Sequence, residues 1–228
     1  MTPQATTIDN QLKTEVQQRI VNSTATVAIV GMGYVGFPLA CAVNRAGYGV
    51  CGFDVDPSKI ESLIAGRSYL GHLADDPFRE LASAERFSAT VNPADIKHCD
   101  IVVLCVPTPL GEDRTPDLSY VIQSTEMVAK VLKPGMLIVL ESTTWPGTTR
   151  QVMLPILEAG GLTCGVDFFL AYSPERENPG DAVFETASIP KVVGGIDETA
   201  CELACEFYKR VVCDVVAVSS VEIAEAAK

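Results

Sequence analysis

Three glycines between two patterned segments constrain this chain most. Gly31, Gly33 and Gly36 lie in GMGYVG. They follow Thr26–Val30, a short apolar run rich in β-branched residues that reads as a buried strand. They precede a helical pattern from Tyr34 to Ala46, which Gly47 is placed to end. Gly31 permits a tight turn, Gly33 leaves backbone room for a pyrophosphate, and Gly36 lets helix and strand pack closely. The amides of the first helical turn would then face the phosphates. The next apolar run, Gly49 to Val55, ends in GFDVD and sets Asp54 at its tip, about twenty residues past the glycines. A carboxylate there accepts hydrogen bonds from ribose hydroxyls and repels a 2′-phosphate, so NAD is favoured over NADP. Lys59 could add a charge contact on the adenosine side. The bland alternative is a glycine-rich turn that only joins strand to helix; strand, glycines, helix and acid in register argue against it.

The remaining pattern keeps alternating. Asp56 as N-cap and Pro57 open a helix to Ala65. A helical piece spans Pro77 to Glu85, a strand Phe87 to Val91, and the most hydrophobic strand runs from Asp100 to Val106. After a Pro-, Gly- and Asp-rich loop, Thr115 and Pro116 are expected to start the next helix. Strands at Met136 to Leu140, Phe168 to Tyr172, Lys191 to Val193 and Asp214 to Val218 alternate with helices at Thr148 to Ala159, Ala200 to Val212 and from Val221 onward. This implies an α/β fold, a doubly wound, mostly parallel Rossmann-type sheet with helices on both faces. Residues 1–24 read as an N-terminal extension, 25–219 as the dinucleotide-binding domain, and 220–228 as the start of a further helix. Ile8, Leu12, Val16 and Ile20 give the extension a helical stripe that either packs on the domain or frays.

Composition narrows the function. The 29 acidic residues outnumber the 17 basic ones, which argues against nucleic-acid binding. No apolar stretch is long enough for a bilayer, and the N-terminus lacks an apolar signal core, so no membrane partner and a cytoplasmic setting are expected. The eight cysteines show no C-x-x-C pair or His partners. They read as reduced, buried, small apolar residues, with no metal site.

GMGYVGFPLA, GFDVDPSKI, CVPTPL, ESTTWPGTT, YSPERENPG, IPKVVGG and VEIAEAAK, in this order from about residue 25 to 228, resemble the nucleotide-sugar 6-dehydrogenases. That family oxidises C6 of a UDP-linked hexose to a carboxylate with NAD. YSPERENPG and IPKVVGG look more like the enzymes of UDP-N-acetylhexosamines, including UDP-N-acetylmannosamine, than those of UDP-glucose, which remains an alternative. The resemblance implies cofactor contacts at Gly31, Gly33, Tyr34, Val35, Gly36, Asp54, Lys59, Thr108 and Thr143. It implies that Thr143 also helps place a catalytic water and that Glu175 does acid–base work. Arg176, Glu177 and Asn178 would line the sugar, and Lys228 would stabilise negative charge on the C6 oxygen. The loop reads TTWPGTT where many relatives read TxPVGTT, which leaves its local shape open. Thr108 and Thr143 could instead simply cap the turns that follow their strands.

Taking an alcohol to an acid requires two hydride transfers and a thiol that holds the aldehyde. In the family that thiol lies in a GCFGG-type segment, which this sequence lacks. The long central helix through which the family forms homodimers and the UDP-binding domain are missing as well. The expectation is an NAD-binding chain that does not complete the oxidation alone. Two other readings are a β-hydroxyacid dehydrogenase, against which GMGYVG with VPTP and SPER speaks, and an NAD-binding module without catalysis.

Overall fold

The computed structural model describes residues 3–111, 115–175 and 190–228, with side chains from residue 11 onward. Eight strands form one sheet: β1 (Thr26–Val30), β2 (Gly49–Phe53), β3 (Phe87–Thr90), β4 (Ile101–Leu104), β5 (Leu137–Leu140), β6 (Phe169–Tyr172), β7 (Lys191–Gly195) and β8 (Val215–Ala217). Their order is β3-β2-β1-β4-β5-β6-β7-β8. Neighbours from β3 to β6 are parallel, β7 is antiparallel to β6, and β8 is parallel to β7. The first six strands thus have the doubly wound order, with its topological switch between β1 and β4, where such sheets open a ligand crevice.

The helices are α1 (Pro3–Val21), α2 (Gly36–Arg45), α3 (Pro57–Ile64), α4 (Asp76–Ala82), α5 (Ser119–Ala129), α6 (Leu154–Glu158), α7 (Glu198–Val211) and α8 (Val221–Ala226). Alternate strand residues point to opposite faces. Val27, Ile29, Val103, Val139 and Phe169 pack with α2, α4 and α7. Ala28, Val30, Val102, Leu140 and Tyr172 pack with α5, α6 and α8. Both faces are buried, which is why the central strands read as unbroken apolar runs.

Val16 and Ile20 of the N-terminal stripe pack on the domain, while the Ile8 side chain lies outside the described residues. Val16 and Ile20 are buried, Lys13 pairs with Glu202 of α7 at 2.6 Å, and the Tyr48 hydroxyl donates to the Ile20 carbonyl at 2.8 Å. Arg86 fastens the exit of α1, donating to the carbonyls of Ser23, Thr24 and Gly47.

Two local expectations are corrected, and one unassigned stretch takes a defined form. The helix expected from Thr115 and Pro116 starts at Ser119. Thr115 and Asp117 instead use their backbones in a small hairpin, with Gly111 N–H donating to Thr115 O and Asp117 N–H to Pro109 O; the Asp117 carboxylate then accepts from Ser119 N–H at 2.8 Å. The stretch from Thr148 is not one regular helix: Thr148–Met153 is wound as a π-helix before α6 begins. Residues Pro93–His98, without an assignment from sequence, form a 3-10 turn capped by Asn92.

The reversal at β7 shapes the site. Strands β1 to β6 end at one rim of the sheet. β7 and β8 run away from it, so the helices that follow them, α7 and α8, climb back toward it. Tyr208 near the end of α7 and Lys228 just beyond α8 are delivered to that rim.

Candidate active site

The cofactor side of the rim is built on Gly31. Its φ is +94°, and an added Cβ would meet the Cys105 carbonyl at 2.6 Å; the loop lies against the end of β4 and only glycine fits. A Cβ on Gly36 would meet the Gly31 carbonyl at 1.9 Å, whereas one on Gly33 meets nothing within 4 Å. Gly33 therefore borders open space, as a backbone that a diphosphate approaches must. Tyr34 is exposed and Val35 half-buried, and their amides open the first turn of α2, where N–H groups lack helical partners.

Asp54 follows β2 and is buried. Its Oδ2 accepts from the Met32 amide at 2.9 Å, its Oδ1 from the Asp56 amide at 3.0 Å. Lys59 Nζ lies 3.0 Å from Oδ2. Asp54 thus braces the glycine loop. Tyr69 completes the brace by donating its hydroxyl to the Met32 carbonyl at 2.7 Å. Burial, then the nearby Asp54 charge, pushes the Tyr69 phenol up, so it stays a neutral donor.

Thr108 lies half-buried beyond β4. Beside it the Ser142 hydroxyl donates to the Val106 carbonyl at 2.6 Å, tying the loop after β5 to the loop after β4. The Tyr172 hydroxyl donates to the Ser142 carbonyl at 3.2 Å. Thr143, next in sequence, is exposed at the mouth. Glu175 follows β6 and is buried; Lys228 Nζ donates to its carbonyl and lies 3.2 Å from its Oε2. Burial raises the Glu175 carboxyl above the usual range, opposed by the Lys228 and then the Lys191 charge. A carboxyl raised by burial is better suited to acid–base work than a free one. Arg176, Glu177 and Asn178 lie outside the described residues.

Two buried assemblies support this rim, and neither leaves a local sign in the sequence. Glu141, just after β5, pairs with Lys191 of β7 at 2.7 Å and accepts from the Tyr208 hydroxyl; the Lys191 ammonium sits 4.9 Å from the Tyr208 ring centroid. Burial first, then the Glu141 charge, holds the Tyr208 phenol far above its usual range, so it remains the donor. The second assembly is Glu225 of α8. Its Oε2 accepts from the Gly147 amide at 2.6 Å, and its Oε1 from the Thr149 amide at 2.8 Å and hydroxyl at 2.7 Å. One turn earlier Glu222 pairs with Arg150 at 2.6 Å. Gly194 makes room for this helix, since a Cβ there would meet the Ser220 carbonyl at 2.3 Å.

The cysteines are thiols. Cys41, Cys51, Cys99, Cys105 and Cys205 are buried, Cys164 and Cys201 half-buried. Cys213 is exposed, contrary to expectation, because it sits in the turn between α7 and the edge strand β8. Among the described residues no group of His, Cys, Asp or Glu is arranged to hold a metal, and no helix is long and apolar enough to cross a membrane.

Fold and glycine crevice together define a Rossmann-type dinucleotide-binding protein. The model of the UDP-glucose/GDP-mannose dehydrogenase family, NAD binding domain, matches residues 25–212, and the chain belongs to that family, whose cofactor is NAD. It is 38% identical over 204 residues to the UDP-N-acetyl-D-glucosamine 6-dehydrogenase of Pseudomonas aeruginosa, covering 89% of this chain and 47% of that one. A solved UDP-D-ManNAc dehydrogenase from Pyrococcus horikoshii superposes with a TM-score of 0.83 at 34% identity, over 89% of this chain and 49% of that one. An NDP-N-acetyl-D-galactosaminuronic acid dehydrogenase from Methanosarcina mazei Go1 also gives 0.83 at 34% identity, over 93% and 48%. The chain spans about half the length of the curated relatives it matches.

Proposed function

We propose that this chain is the NAD-binding part of an enzyme that oxidises C6 of a UDP-linked hexose to the carboxylate, with a UDP-N-acetylhexosamine as substrate. The observation that carries the reading is the meeting of Lys228 with Glu175 at the rim that also holds the glycine crevice. Relatives named for UDP-N-acetyl-D-glucosamine and UDP-N-acetyl-D-mannosamine support the substrate class.

Gly31, Gly33 and Gly36 with the amides of Tyr34 and Val35 hold the diphosphate. Asp54 and Lys59 face the adenosine ribose. Thr108 and Thr143 line the cofactor between the β4 and β5 loops. NAD held there would supply the hydride acceptor for C6. Lys228 places positive charge where the C6 oxygen becomes negative, which favours the transition state over the ground state. Glu175, its carboxyl raised by burial, takes or returns the proton at the water that hydrolyses the acyl intermediate. Arg176, Glu177 and Asn178 complete the sugar side, and residues 220–228 begin the helix that leads away from the NAD-binding domain at 25–219.

In this reading the chain by itself binds NAD without completing the oxidation. Burial pushes the Cys41, Cys164 and Cys205 thiols up to about 12, the opposite of what a nucleophile needs; a hydrogen bond with Cys99 lowers Cys51 to about 7, but Cys51 is buried in the middle of β2. Fluorescence titration with NADH and NADPH, followed by mixing with UDP-sugars, tests the proposal. Binding of NADH over NADPH without NADH production from NAD is expected. Adding the C-terminal half of a relative should bring production from UDP-N-acetylhexosamines ahead of UDP-glucose. A chain that ignores NADH, or prefers UDP-glucose once complemented, refutes the corresponding part.

A further inference from the structure

Resting on that reading of the rim, we infer that Glu225 is a positioning residue that couples the cofactor-side turn carrying Thr143 to the substrate-side ammonium of Lys228. Glu225 is 2% exposed, and a carboxylate buried that deeply needs its charge met by donors. It has three, and all belong to one turn: Gly147 N–H, Thr149 N–H and Thr149 Oγ1–H. That turn closes the TTWPG loop in which Thr143 stands. Gly147 has φ +104°, a conformation that aims its amide at the carboxylate. Lys228 lies three residues beyond Glu225, about one helical turn, and reaches Glu175. A single side chain therefore fixes α8 against the Thr143 loop, and the same helix sets the height of the lysine. Arg150 and Glu222 add a second clasp, but it is partly exposed: the side chains are 42% and 34% accessible. Such a pair fixes geometry weakly. The donors that Glu225 meets all lie in the turn that follows Thr143, so it acts through what it holds.

Glu225→Gln is the informative change. The amide keeps the shape and one acceptor, but its NH2 must face a backbone N–H. The probe is Lys228 itself, its acylation by acetic anhydride read by peptide mapping, with exposed Lys97 as internal reference and no NAD or sugar present. Losing hydrogen bonds to a charged group should raise Lys228 acylation relative to Lys97 by about tenfold. Glu222→Gln, which removes the exposed clasp alone, should leave the ratio within about twofold. Thr149→Val, which deletes one donor, should give an intermediate rise and decides the matter if Glu225→Gln does not fold. A wild-type ratio in folded Glu225→Gln, or an equal rise in Glu222→Gln, overturns the coupling. NADH titration of the same proteins keeps the two readings apart: a wild-type chain that does not bind NADH sinks the proposed function, while the labelling ratio still judges Glu225.

Discussion

The Met32 amide donates to Asp54 Oδ2 across 22 residues of sequence, at 2.9 Å. The acid at the tip of β2 therefore shapes the glycine loop, besides the ribose contact proposed for it. Asp54→Ala should cost both functions: the NADH Kd should rise about tenfold or more, as expected for lost hydrogen bonds to a charge, and the melting temperature should fall in the absence of ligand. A mutant with weakened NADH binding but unchanged thermal stability would mean that the Met32 contact holds nothing.

Asp54→Asn makes a different point. It removes the negative charge and releases Lys59, which lies 3.0 Å from Oδ2, to meet a 2′-phosphate. The NADPH-to-NADH affinity ratio should rise in Asp54→Asn and fall back in Asp54→Asn with Lys59→Met. Paired fluorescence titrations read both ratios.

Lys191 and Glu141 are 6% and 2% accessible at their side chains. Removing one partner strands a buried charge, which costs about 3–5 kcal/mol, so Lys191→Met should lower the urea midpoint sharply. Replacing Glu141, Lys191 and Tyr208 together by Leu, Met and Phe should recover much of that loss, because no buried charge of the pair is left unmet. Urea unfolding of both proteins gives the comparison.

Acid should loosen α8 before it unfolds the sheet. The Arg150 guanidinium beside Glu222, foremost by its hydrogen bond, lowers the Glu222 carboxyl to about 2. A carboxyl depressed in the folded state contributes stability above the ordinary glutamate range, about 4.3. That contribution is lost as pH falls from there through about 2. Hydrogen-exchange protection over Val221–Ala226 should drop across this window in the wild-type chain and show no such step in Glu222→Gln. Because the pair is partly exposed, added salt should shrink the step.

Gly194→Ala tests the seat of α8. The new Cβ would stand 2.3 Å from the Ser220 carbonyl, an overpacking that costs about 1–3 kcal/mol. Lower thermal stability with faster exchange confined to α8 is expected; faster exchange spread over the whole sheet would contradict the local account.

What the sequence reveals here is what neighbouring residues decide. Thr26–Val30, the three glycines, Asp54 at its strand tip and Asp56 as the N-cap of α3 all follow from short-range pattern, and all stand where expected. The contacts that hold the rim join distant residues: Tyr208 to Glu141 across 67 positions, Glu225 to Thr149 across 76. Periodicity says nothing about which buried carboxylate meets which donor. Nor does it reveal the direction of β7, since a strand has the same alternation in either orientation. Pro116 misled for a related reason: a proline suits both a first helical turn and a hairpin, and only the pairing of Thr115 with Gly111 decides between them.

The reversal at β7 also gives the rim an electrical polarity. α2 starts at the rim and presents the positive end of its macrodipole there, which suits a diphosphate. α7 and α8 finish near it and present negative ends, which favour cations. Lys209 and Arg210 occupy the last turn of α7, and Lys228 stands just past α8. One sheet therefore offers an anion-attracting half and a cation-attracting half side by side, and Lys228 Nζ stands on the second, held by the carbonyl of Glu175 as well as by its carboxylate.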